Sequence, residues 1–218
     1  IDWKAFKGCE NLDAVIRNAE EDVTVVSGAL DDCKSVTWKI IDESESPLKF
    51  KVLTDSTAEV TKENCVEGSV TIPSKVVIDG KTYNVVSIGD YAFKNCKDLT
   101  GITIPSCVVK IGTGAFASSG LTSIEIPSSV TSISLSMLSG CSGLANVKIP
   151  SSIKSIGENA FVDCTSMTSL QLPSSVKSIG IMAFYGCKNL DLVIDNSEDN
   201  VEVAVQAFQN CKSVTWKK

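Results

Sequence analysis

Apolar positions along this chain of 218 residues return on a beat of about 23. Ala-Phe pairs fall at Ala92-Phe93, Ala115-Phe116, Ala160-Phe161, Ala183-Phe184 and Ala207-Phe208, and Met137-Leu138 fills the same slot between the second and third. The steps between second members are 23, 22, 23, 23 and 24 residues. Ile88, Ile111, Ile133, Ile156 and Ile179 precede them by five residues, and glycine follows four of these, with Ser134 the exception. Proline recurs as Ile104-Pro105, Ile126-Pro127, Ile149-Pro150 and Leu172-Pro173. Several columns in one register imply one structural turn per repeat.

Within a unit, Met167 to Leu172 reads L-x-x-L-x-L and ends in period-two alternation, which predicts a short strand. Pro173 stops it, because proline fixes φ and offers no N–H to a following ladder. The Ser-Ser-Val-x-Ser-Ile-Gly run at 174–180 predicts a second short extended piece, with glycine supplying a positive φ to turn the chain. The Ala-Phe segment is too short for a stable helix and predicts a tight or 3-10 turn whose ring plugs the core. A 23-residue coil cannot bury its apolar face alone, so the coils must stack. Phe93, Phe116, Phe161, Phe184 and Phe208 are thus predicted as structural core.

The unit LTSIEIPSSVTSI at 121–133, followed by the aromatic turn and cysteine, resembles the BspA-type leucine-rich repeat of bacterial surface and secreted proteins. The likeness is specific over 81–188 and looser in the flanking coils. It implies a right-handed leucine-rich-repeat superhelix of the α/β leucine-rich-repeat class, β-rich, with binding or adhesion as its role and a secreted or cell-surface location.

A longer echo accompanies the short beat. Residues 11–39 and 189–217 align without a gap at an offset of 178, with 17 identities in 29 positions. Both end in the string Cys-Lys-Ser-Val-Thr-Trp-Lys, and both replace Ile-Pro by an acidic loop, at 17–23 and 195–201. Between them residues 41–72 break the beat. The run 42–47 is charged and linker-like, 48–60 reads as strands bounded by polar turns, and Asp79-Gly80 is a strong hairpin signal. Two organisations fit. Residues 1–40 close one array, 41–80 form a β-rich linker or cap, and 81–218 a second array; or one continuous solenoid, 1–218, carries an insertion at 41–72.

Composition narrows the chemistry. The chain is 43% hydrophobic and 21% charged, with 26 acidic against 20 basic residues, a net charge of −6 and no Lys/Arg cluster, so neither nucleic acid nor an anionic membrane is an expected partner. No apolar run approaches a membrane span, so no membrane insertion is expected in this segment. Without histidine, the commonest general base and metal ligand near neutral pH is missing. No motif pairs a nucleophile with a base, and Glu125, Glu158 and Asp163 recur at no spacing that dictates a catalytic pair, so no enzyme, cofactor or metal is expected. The chain starts at Ile1 with neither initiator Met nor leader pattern, as expected of a processed or truncated piece.

Nine cysteines are present, and seven share the position three after the turn's second residue: Cys9, Cys33, Cys96, Cys141, Cys164, Cys187 and Cys211. Their separations match no zinc pattern, and in-register strand neighbours stand slightly too far apart for a disulfide. The column is expected to hold buried thiols packing as small hydrophobes, with Cys65 and Cys107 the likelier members of a reactive pair. The acidic loop at Asp195, Asn196, Glu198, Asp199 and Asn200 could offer oxygens to calcium, but its spacing is not that of an EF-hand, and a solvated turn is the favoured reading.

Recognition is expected on the outward strand positions. Counted on the 23-residue beat, these are Gly101 and Thr103, Ser123 and Glu125, Asn146 and Lys148, Ser169 and Gln171, Leu192 and Ile194, then Trp216 and Lys218. The last apolar set forms either a contact patch or a cover for a further coil. The functional expectation is a non-enzymatic adhesion or binding protein that recognises a protein partner, such as a host matrix component, through this face. The alternative is a glycan-binding module assisting polysaccharide capture, with Trp216 as its aromatic.

Overall fold

The computed structural model describes residues 40–61 and 65–217, and 13–16 and 35–38 as backbone strands. Cys9, Cys33, the acidic loop at 17–23 and Lys218 lie outside the described residues.

The chain winds as a β-solenoid of about seven turns at the ~23-residue spacing. Among the described residues helix is confined to single 3-10 turns at Glu43–Glu45 and Glu198–Asn200. Strand Ser123–Glu125 pairs in parallel with Asn146–Lys148, and Ser169–Leu172 with Asp191–Ile194 and then Ser213–Trp216. A second parallel line joins Ser132–Ile133, Ser155–Ile156, Ser178–Ile179 and Glu202–Val203.

Proline opens each corner between the two lines, its carbonyl accepting the N–H three residues on, as in Ile153 to Pro150 and Val176 to Pro173, both at 3.1 Å. The serine beside it ties the corner to the previous coil. Ser152 Oγ donates to the Val130 carbonyl at 2.7 Å and Ser175 Oγ to that of Ile153 at 2.6 Å. In the variant last coil Asn196 takes over, its Nδ2 donating to the carbonyls of Ser174 and Val176. The acidic loop is therefore an asparagine-braced corner.

The glycine column does something other than expected. Gly112, Gly157 and Gly180 do not have positive φ; a Cβ on Gly180 would lie 2.6 Å from the Glu158 nitrogen, and one on Gly157 2.8 Å from the Ile133 carbonyl oxygen. These glycines let one coil's backbone lie against the next. The left-handed residues sit instead two before and two after the turn's central position, as Tyr91 and Asn95, Ser136 and Gly140, Asn159 and Asp163, and Gln206 and Asn210.

Alternating φ sends alternate N–H groups in different directions. The Val162 and Cys164 N–H groups close turns within their own coil on Asn159 and Phe161, whereas those of Asn159, Phe161 and Asp163 donate across to the carbonyls of Ile181, Ala183 and Tyr185 at 2.7–2.9 Å. Each turn is therefore stitched to the next coil.

Inside, the turn residues line up in one column, aromatic except at Leu138. Phe93 and Phe116 stack at 5.5 Å between centroids, Phe161 and Phe184 at 5.0 Å, and Phe184 and Phe208 at 6.2 Å, with Leu138 between the second and third. Phe93, Phe116, Phe161 and Phe184 are buried, whereas Phe208, in the last coil, is half-buried.

The first end is closed by a sheet. Lys49–Val52 and Thr57–Thr61 form an antiparallel hairpin, Thr57–Thr61 lies parallel to Lys81–Ile88, and Lys75–Ile78 pairs antiparallel with Lys81–Ile88. Asp79 and Gly80 turn that last hairpin, both at positive φ, as the Asp-Gly signal predicts. Ile41–Asp42 completes the path on Lys75–Ile78. The charged run from residue 42 is a capped turn and not an open linker: the Asp42 carboxylate accepts the Ser44 N–H, and that of Glu43 accepts the Phe50 N–H at 3.2 Å.

Candidate binding face

Parallel in-register pairing makes each outward position a row across coils, with neighbours about 4.8 Å apart. Glu125 and Lys148 stand on adjacent strands, and their side chains meet at 2.8 Å, both largely exposed. Such a pair contributes at most ~1 kcal/mol, so it sets surface chemistry more than stability. Asn146, Ser169 and Gln171 continue the exposed face.

The count on a strict 23-residue beat fails in the last two coils. Leu192 and Ile194 pair with Leu170 and Leu172 and are fully buried, so the outward positions are Asp191 and Val193. The cause is one missing residue: Leu190-x-Leu192-x-Ile194 replaces the L-x-x-L-x-L of Met167 to Leu172. Side chains alternate with period two along a strand, so a one-residue slip exchanges the faces. Trp216 follows the same register, pairing with Ile194; it is half-buried, its ring edge-on to Phe208 at 6.3 Å. Ser213 and Thr215 take the outward places. The shortened spacing of Leu190, Leu192 and Ile194 is the sequence signal that would have revealed this.

The shifted register adds charge to the face. The Asp191 carboxylate receives Lys212 Nζ and Ser213 Oγ, both at 2.6 Å, and those hydrogen bonds hold it below the usual carboxylate range. Asp195 is likewise lowered, chiefly by the hydrogen bond from Gln171 Nε2 and then by Lys217, whose Nζ lies 3.2 Å away. Shallow depressions line the face between strands, one bounded by Asn146, Lys148, Ser169, Gln171, Asp191 and Val193. Among the described residues no cluster of acidic or cysteine side chains could hold a metal ion, and no helix is long and apolar enough to cross a membrane.

The cysteines divide in an unexpected way. Cys65 and Cys96 form a disulfide, Cα to Cα 5.0 Å, joining the loop ahead of the first coil to that coil's turn. Cys96 therefore leaves the expected thiol column, and Cys107, expected to partner Cys65, takes no part; its Sγ points at the Val85 carbonyl 3.2 Å away. Cys65 comes from an irregular loop and not from an in-register strand, so the strand spacing does not keep it from Cys96.

Cys141, Cys164 and Cys187 are buried thiols, and Cys211 is half-buried. Each donates to a carbonyl of the preceding coil, Cys141 to Phe116 at 3.0 Å, Cys164 to Leu138 at 3.2 Å and Cys187 to Phe161 at 3.0 Å. A weak donor of small volume is what that position requires. Burial raises the thiol of Cys164 well above its usual range, that of Cys187 to about 12 and that of Cys211 to about 11. A thiol raised in this way stays protonated near neutral pH, and the protonated form is the poorer nucleophile.

Stacked parallel strands, a repeated core and an outward polar face define a leucine-rich-repeat solenoid. Residues 82–215 match the BspA type leucine rich repeat region in six copies, and the chain belongs to that family. No curated protein matches the chain. Among solved structures it is similar to a leucine-rich repeat protein from Bacteroides ovatus, with 34% identity and a TM-score of 0.68 over 80% of this chain and 46% of that one. It is also similar to a leucine-rich repeat protein of T. pallidum, with 27% identity and a TM-score of 0.62 over 76% of this chain and 86% of that one. The pneumococcal vaccine antigen PcpA shares the fold at 22% identity and a TM-score of 0.56, over 70% of this chain and 48% of that one. The chain thus spans less than half the length of the Bacteroides relative.

Proposed function

We propose that the outward strand face, from Thr103 to Thr215, recognises a protein partner, and that the chain acts in secreted form or at a cell surface as an adhesion or binding module without catalysis. The observation that carries this reading is the row of mutually paired polar side chains, Glu125 with Lys148, Gln171 with Asp195 and Asp191 with Lys212, on a parallel ladder. Its depressions are shallow and open, suited to a partner's surface more than to an enclosed small molecule. The family supports a protein-interaction role and gives no indication of catalysis. The glycan alternative relied on Trp216 as an exposed aromatic, and that ring is half-buried against Phe208.

The test is a binding screen against extracellular matrix proteins, comparing the wild type with Glu125→Ala, Lys148→Ala and Gln171→Ala combined. Loss of at least ~10-fold in affinity for a captured protein is expected, because contact residues at the centre of an interface carry most of its energy. Unchanged affinity of the triple variant would place recognition elsewhere.

A further inference from the structure

The repeat is least regular where the coil at 121–140 follows the coil at 99–118. Ser134 stands in the glycine column, Met137-Leu138 takes the Ala-Phe slot, and Ser119 replaces the cysteine. At the other junctions the residue after the column's isoleucine donates its N–H to the isoleucine carbonyl of the coil before. Gly112 does so to Ile88, Gly157 to Ile133, Gly180 to Ile156 and Ala204 to Ile179, all at 2.8–2.9 Å. The Ser134 N–H makes no such bond among the described residues; the Ser134 hydroxyl donates to the Ile111 carbonyl in its place. Serine hydroxyls compete with backbone donors in this way. The Thr131 N–H also lacks a backbone acceptor, although Lys154 and Lys177 donate from the same place at 2.8 Å. Ala204 keeps its bond with a Cβ present, so the hydroxyl, and not the size of the side chain, diverts the carbonyl.

Both lines of strands stop at this junction. Lys110–Ile111 pairs back with Lys81–Ile88 and Ser132–Ile133 forward with Ser155–Ile156, and no pairing joins the two. On the outward face Leu99–Thr103 pairs with Gly68–Thr71 and Ser123–Glu125 with Asn146–Lys148, again with no pairing between them. The face is also unpaired between Asn146–Lys148 and Ser169–Leu172, but there the second line runs on from Ser155–Ile156 to Ser178–Ile179. The stacked rings divide at the same place, Phe93 with Phe116 on one side and Phe161, Phe184 and Phe208 on the other. Ile102 and Ile104 are half-buried, whereas Ile124 and Ile126 are buried, and a depression lies between Thr103 and Ser123. Apart from Thr122 to Thr100 at 3.1 Å, the backbone bonds across the junction lie on the turn side. There the N–H groups of Gly114, Phe116 and Ser118 donate to Leu135, Met137 and Ser139 at 2.7–2.9 Å.

We propose that this junction is a hinge set by Ser134. It divides the solenoid into two cooperative units, the described residues up to Gly120 and those from Leu121 on. A stack of repeats is held by its nearest-neighbour interfaces, so it parts where an interface lacks its ladders. The turn-side bonds form the axis, and flexion about them changes the spacing of the Thr103 and Glu125 rows on the outward face. The partition belongs to the stack and holds whether or not that face binds a partner.

Amide hydrogen exchange in rising urea tests the hinge. In the wild type the amides of Phe93 and Gly112 are expected to open with a urea dependence separate from that of Phe161 and Gly180. The amides of Thr131 and Ser134 are expected to be at least ~100-fold less protected than those of Lys154 and Gly157. Ser134→Ala returns the Ile111 carbonyl to the backbone, as at Ala204. It is expected to raise protection at positions 131 and 134 at least ~10-fold and to bring the two sets of amides onto one opening. Should that variant fail to fold, Ser134→Gly, which restores the column's own residue, is expected to give the same two changes. A single opening shared by both sets in the wild type overturns the proposal, as does unchanged protection at positions 131 and 134 in a folded Ser134→Ala or Ser134→Gly chain.

Discussion

The first and last coils present the same aromatic position to very different surroundings. Phe93 stacks on Phe116, lies in the coil bonded to the closing sheet and is 2% exposed; Phe208 stacks on Phe184, has no ring stacked on its other side among the described residues and is half-buried. The side chain, the turn and the flanking left-handed residues are alike. What differs is the neighbour, so in this architecture a coil owns only part of its core and borrows the rest.

The largest expected effect tests that borrowing at the closed end. Phe93→Ala leaves a cavity between the sheet and the second coil and should cost about 3–5 kcal/mol in urea unfolding. Breaking the Cys65–Cys96 bond with Cys65→Ser should cost about 2–4 kcal/mol, from a crosslink spanning 31 residues, and should leave the last coil's amide exchange unchanged. Phe208→Ala, made at the open end, should cost only about 1–2 kcal/mol, because its ring is incompletely removed from water. Equal costs for Phe93→Ala and Phe208→Ala would break the contrast.

The smallest effect concerns pH. The carboxylates of Asp191 and Asp195 are depressed in the folded chain, so the stability they contribute is present above the unfolded carboxylate range and is lost as pH falls through the depressed values. Asp191→Asn should therefore flatten the acid limb of a stability profile below pH ~4 and leave neutral stability little changed. A closed-end substitution such as Phe93→Ala should shift the whole profile without changing that limb.

Much of this organisation was legible because a stack repeats its chemistry. The Ala-Phe column, the proline corners and the Asp79-Gly80 hairpin each depend on residues with narrow conformational or packing roles, and they appear where the pattern places them. The outward face was legible through Gln171 and then misread at Leu192 and Ile194, since a single deleted residue inverts a strand without disturbing the Phe and Cys columns on either side. The Cys65–Cys96 bond was hidden because it joins a repeating position to a non-repeating loop. The left-handed columns were hidden because Tyr, Ser, Asn, Met, Gln, Asp and Gly all serve there, imposed by hydrogen bonding to the next coil and not by residue preference.

Ring-to-ring nuclear Overhauser contacts in a chain labelled only at phenylalanine test the stacked core most directly. Cross-peaks should join Phe93 to Phe116, Phe161 to Phe184 and Phe184 to Phe208, whose centroids lie 5.0–6.2 Å apart, and Phe116 and Phe161 should show none across Leu138. A folded chain giving no cross-peak between rings one coil apart would contradict the account.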